Sequence, residues 1–94
     1  MNLLTIPTPL RPYTEGQKDV LVEGETVGMI LKDLAKRYPN LYQHLFDKNG
    51  DLRPYVNIFI NQEDIRTHDG ENTIVTEGDR LMIVPSIAGG LRLE

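Results

Sequence analysis

Two hydrophobic periods run along this chain. Val27, Ile30, Leu31, Leu34, Ala35 and Tyr38 fall at i, i+3, i+4, i+7, i+8 and i+11, which sets all six on one face of a helix. Thr26, after Gly24 and Glu25, is placed to cap the first turn, and Pro39 stops the helix. A lone amphipathic helix in a small domain packs such a stripe on its own sheet. The second period is two. In Tyr55-Val56-Asn57-Ile58-Phe59-Ile60-Asn61, Val56, Ile58 and Ile60 alternate with Tyr55, Asn57, Phe59 and Asn61, giving a strand with two unlike faces.

Shorter signals complete the plan. Residues 2–6 read as a strand ended by Pro7 and Pro9, followed by a polar loop through Pro12 and Gly16 and a second strand over 18–23. Residues 40–46 add one helical turn, with Leu41, Leu45 and Phe46 at the core edge, before a turn at Asp47-Lys48-Asn49-Gly50-Asp51. Residues 62–66 form a turn leading into a short edge strand, 68–72 a loop, and Glu77-Gly78-Asp79 a tight turn into a last strand over 80–85. The order β, β, α, β, short β, β predicts an α+β domain: a mixed four- to five-stranded sheet with one main helix across one face. This is the plan of the β-grasp, or ubiquitin-like, fold, with a right-handed crossover wherever the helix links parallel strands. Val56, Ile58, Ile60, Ile30, Leu31, Leu34, Leu81 and Ile83 are the expected core. The domain covers residues 1–86, and 87–94 are expected to be a flexible tail.

Ninety-four residues suffice for one core but not for a cofactor unit and a substrate unit together. A carrier, accessory or binding role is favoured over a self-sufficient enzyme. The net charge is −4, with both signs interspersed, and neither a nucleic-acid stripe nor a patch for an anionic membrane is visible. No apolar run reaches the roughly 18 residues of a membrane span, and the first residues lack a signal-peptide pattern, so a cytoplasmic location is expected.

Cysteine is absent, which excludes disulfides, thiolate zinc sites and a side-chain thiol nucleophile. His44 and His68 have no ligand partner at metal spacing and are expected on the surface. Residues 47–51 resemble the start of a calcium loop, but the twelfth position is Ile58 where a glutamate is needed. Glu63-Asp64 and Glu77-Gly78-Asp79 read as solvated turns, and Gly24, Gly28 and Gly50 make no phosphate-cradling pattern. No metal site is expected.

What stands out is Pro85-Ser86-Ile87-Ala88-Gly89-Gly90, where a strand pattern runs out into a glycine pair. Without a Cβ on either residue, this backbone fits a slot too narrow for others and takes dihedrals closed to them. Fully extended, the six residues from Pro85 to Gly90 span roughly 20 Å, enough to carry a carboxylate into a buried site while the domain stays outside.

Taken together, Ile6-Pro7-Thr8 with Leu10-Arg11, Thr14, Gly16-Gln17, Gly24-Glu25-Thr26-Val27, Gly50-Asp51-Leu52-Arg53, residues 55–61, Glu63-Asp64-Ile65-Arg66, Gly78-Asp79 and residues 85–90 form an ordered set over nearly the whole chain. In that set the chain resembles the ubiquitin-like sulfur carriers of the MoaD and ThiS family, closest to the CysO type. The resemblance implies that an E1-like adenylating enzyme of the MoeB/ThiF type activates the carboxylate of Gly90, Ala88, Gly89 and Gly90 being the tail it recognises. A sulfur source then leaves a thiocarboxylate on Gly90. The sulfur passes to a synthase, for the CysO type a PLP-dependent cysteine synthase, and a JAMM-type metalloprotease frees the product. ATP with Mg, PLP and zinc belong to those partners, and this chain binds no cofactor and catalyses nothing.

The chain departs from the family pattern in carrying Leu91-Arg92-Leu93-Glu94 after Gly90. The extension is either native, and removed before activation, or an expression remnant, for which Leu-Glu is common. A partner surface is expected on the sheet face away from the helix, with Phe59, Pro85 and Ile87 as contacts, Phe59 only if its parity points outward. Two other readings stay open. One is a ubiquitin-like modifier joined to lysines through Gly90, the other a plain interaction domain.

Overall fold

In the computed structural model, which describes residues 1–85, the sheet is built from β1 (Asn2–Thr5), β2 (Asp19–Val22), β3 (Val56–Ile60), β4 (Glu63–Asp64) and β5 (Arg80–Pro85). The strand order is β2-β1-β5-β3-β4. β1 and β5 pair in parallel, Leu4 opposite Leu81, and the other neighbours are antiparallel. The mixed β-grasp sheet expected from the element order is the one observed, with five strands.

The helix α1 (Val27–Arg37) lies where the 3.6-residue stripe puts it. Thr26 has extended backbone, and its side chain accepts from the Met29 amide at 3.2 Å, closing one of the free N–H groups of the first turn. Val27, Ile30, Leu31, Leu34 and Ala35 are buried, and Tyr38 is packed on the core as the C-cap. All eight residues expected in the core are buried, joined by Leu4, Ile6, Val20, Val22, Leu41, Leu45 and Phe46. Gly24 brings the β2–α1 connection against the helix so closely that a Cβ there would lie 2.8 Å from the Ile30 backbone nitrogen.

Three segments differ from the sequence reading. The loop expected after β1 is a 3-10 helix, Thr8–Thr14, because proline is welcome in a first turn and Leu10 and Thr14 provide an inward face. Pro39 ends α1 but also opens α2 (Pro39–Leu45) from its first position, a fuller helix than one turn. The edge strand sits inside the expected turn: β4 pairs with Phe59 and Ile60, and residues 65–67 and 70–72 are single 3-10 turns.

The end of the β2 edge is tied to α1. Arg37 donates to the Leu21 carbonyl, and the Glu23 amide donates to Asp33 Oδ2 at 3.2 Å. Among the described residues, no helix is long and apolar enough to cross a membrane.

Candidate functional site

The strand parity that buries Val56, Ile58 and Ile60 under α1 turns Phe59 to the opposite face. In β5 the same alternation buries Leu81 and Ile83 and leaves Met82 exposed and Val84 half-buried. The register places Phe59 beside Met82 and Asn57 beside Val84. The three apolar side chains therefore meet on the outer face. They lie in an open depression of about 650 Å³, lined by Phe59, Asn61, Gln62, Arg80, Met82 and Val84. A concave apolar floor with a few polar groups at its rim is the usual character of a recognition site.

The rim is held from two sides. Arg80 Nη2 lies 3.1 Å from Asp19 Oδ1 and 3.4 Å from Thr5 Oγ1, and Thr5 donates to the same carboxylate at 2.8 Å. These three residues come from β5, β2 and β1, and their network carries the Arg80 guanidinium across β1 toward β2, leaving the stem of Arg80 at the edge of the depression. On the other side the turn before β5 is tied down by Asp79. Its carboxylate accepts from the Thr76 amide at 2.8 Å and from Asn61 Nδ2 at 2.8 Å, and Asn61 Oδ1 accepts from the Arg80 amide at 3.0 Å. The hydrogen bond from the Thr76 backbone, reinforced by that from Asn61, holds the Asp79 carboxyl below its ordinary value.

Phe59 thus has the outward parity on which its expected contact role depends, and it lines the depression. Pro85 does not join it: it ends β5 on the parity of Leu81 and Ile83, opposite Val56. Ile87, Ala88, Gly89 and Gly90 lie outside the described residues. Met82, Val84, Gln62 and Arg80 were not singled out from the sequence. For Met82 and Val84 a signal existed, since placing Leu81 and Ile83 in the core leaves the residues between and after them for the other face. His68 is exposed and 2.6 Å from Glu63 Oε1, whereas His44 is half-buried, its ring centroid 4.2 Å from that of Tyr13 and tilted by 31°. No cluster of possible metal ligands occurs among the described residues.

A sequence profile of the ThiS family matches residues 4–90, so the match ends on the second glycine. The sulfur carrier protein CysO of Mycobacterium tuberculosis is 42% identical over 93 residues, covering 96% of this chain and all of that protein. Small archaeal modifier protein 3 of Haloferax volcanii is 32% identical over 78 residues, covering 80% of this chain and 84% of that protein. Among solved structures, a chain of the Amycolatopsis orientalis BexX/CysO complex superposes with a TM-score of 0.86 at 36% identity, covering 96% of this chain and 100% of that one.

Proposed function

This chain belongs to the ThiS family, and we propose that it is a sulfur carrier of the CysO kind, a protein co-substrate that bears sulfur as a thiocarboxylate on Gly90. The observation that carries this reading is the near full-length likeness to CysO in a family match that ends at Gly90. The geometry supports it. β5, whose outer side chains form the apolar floor, is the strand that leads into residues 86–90, so one partner can hold the floor while handling the glycines.

The chemistry needs no residue of this chain as a catalyst. A carboxylate is a poor acyl donor until its oxygen becomes part of a good leaving group. In an E1-like enzyme of the MoeB/ThiF type, Gly90 attacks the α-phosphorus of ATP and expels pyrophosphate. Hydrosulfide, or the sulfur of a persulfide that is afterwards reduced, then displaces AMP, leaving a soft nucleophile on a protein without cysteine. Residues 91–94, where native, are removed first, because Gly90 has no free carboxylate while they remain. The acceptor is a PLP-dependent cysteine synthase, and a JAMM-type zinc metalloprotease releases the product. ATP with Mg, PLP and zinc are held by those enzymes, in the cytoplasm.

The test uses the chain ending at Gly90, which keeps every strand and helix described. Incubated with the E1-like enzyme of its own organism, ATP and sulfide, it is expected to gain the mass difference between sulfur and oxygen. Gly89→Ala and Gly90→Ala are expected to keep the melting temperature and lose most of that gain. Full modification of both variants, or equal adenylation of the chain ending at Glu94, overturns the mechanism. The likeness to a small archaeal modifier protein favours one second reading, conjugation to lysines through Gly90. It predicts Gly-Gly remnants on other proteins in the host and is excluded by their absence when the thiocarboxylate is found.

A further inference from the structure

β3 and β4 are joined by a two-residue turn, Asn61-Gln62, between the paired residues Ile60 and Glu63. Both turn residues have positive φ, 50° for Asn61 and 73° for Gln62. A hairpin turn of this kind suits Asn at its first central position and calls for Gly at the second, since only Gly takes that conformation without its Cβ crowding the backbone. Asn61 has local reasons to be there: its side chain bonds Asp79 and the Arg80 amide. Gln62 has none. Its side-chain amide makes no hydrogen bond among the described residues, and its surroundings give no packing reason, for it is exposed. Among the described residues the one other non-glycine residue with positive φ, Glu15, closes a helical segment, where that conformation is ordinary.

Strain kept at a position where glycine would serve better points to a use for the side chain. Gln62 lines the apolar depression, with Arg80 also at its rim. A primary amide carries a donor and an acceptor side by side, the complement of a peptide group. We propose that Gln62 is a specificity-determining docking residue whose amide pairs with a main-chain peptide group of the activating enzyme, on a loop that places an apolar side chain over Phe59, Met82 and Val84. This rests on the reading of the outer face as the surface that the E1-like enzyme holds. The occupant follows from β5, which carries both the floor and the approach to Gly89-Gly90.

Two variants of the full chain separate the possibilities, each measured for melting temperature and for calorimetric Kd against the E1-like enzyme of the same organism. Gln62→Gly relieves the strain and removes the amide. It is expected to raise Tm by roughly 2–6 °C and to weaken binding about tenfold. Met82→Asp tests the face itself and is expected to weaken binding by more. If Gln62→Gly raises Tm and leaves Kd unchanged while Met82→Asp weakens binding, the proposal is overturned and the docking face stands. If neither variant changes Kd, the face reading fails and the proposal falls with it. A lower Tm for Gln62→Gly overturns the strain argument and with it the proposal.

Discussion

β3 and β5 are each two things at once, and their two sides obey different rules. Toward α1, Val56, Ile58, Ile60, Leu81 and Ile83 are branched aliphatics sealed from water. Away from it, Phe59, Met82 and Val84 are half-buried or exposed and include the unbranched, adaptable methionine. Backbone, strands and hydrogen bonds are common to both sides. Only the covering differs, so stability belongs to one parity, and the other is the one proposed for docking. Neighbouring residues of one strand should therefore fail in different ways.

The largest effects are expected on the helix side. Ile83→Ala and Leu34→Ala, both fully buried, should each cost about 2–5 kcal/mol in urea unfolding, with binding per folded molecule retained. A loss near zero would mean that the helix and sheet do not share one core. Thr26→Ala, which removes the N-cap bond but no core contact, should cost about 1 kcal/mol by the same measurement. Met82→Ala, one residue from Ile83, should stay within about 0.5 kcal/mol of the parent, and a loss as large as that of Ile83→Ala would erase the difference between the faces. The smallest effect is at Asp79. Its carboxyl is held below the ordinary value by the Thr76 and Asn61 hydrogen bonds, so its contribution is present above the unfolded pKa of about 4 and fades as pH falls through the folded one. Unfolding curves of Asp79→Asn should accordingly lack part of the parent's loss of stability below pH 4.

The helix stripe and the alternation of β3 were readable because each repeats often enough to dominate its neighbours. The segment 8–14 was not, since three residues per turn over seven positions leaves only Leu10 and Thr14 to mark a face, and its prolines look like loop punctuation. β4 is too short for any period, and its place follows from the turn at Asn61-Gln62, where no glycine advertises it. Val75, buried beside the Thr26–Ile74 bridge, shows how tertiary contact recruits a residue that no local pattern marks. For the site, the alternation of β3 marked Phe59 as a contact only if its parity pointed outward, and the helix-side burial of Val56, Ile58 and Ile60 is what turns it out. The Arg80–Asp19–Thr5 network joins residues up to 75 positions apart, a separation at which spacing carries no signal.

The strand order carries a consequence for how the molecule is made. β5 is the last strand in sequence yet the middle of the sheet, flanked by β1 and β3. Until it has left the ribosome, β1–β2 and β3–β4 are two separate hairpins with nothing between them, and closing the sheet waits on contacts across most of the chain length. Met82 and Val84 arrive with that same strand. An unfinished chain can neither complete its fold nor display the outer face proposed for docking, so a partner that bound there would meet only chains whose synthesis had passed β5.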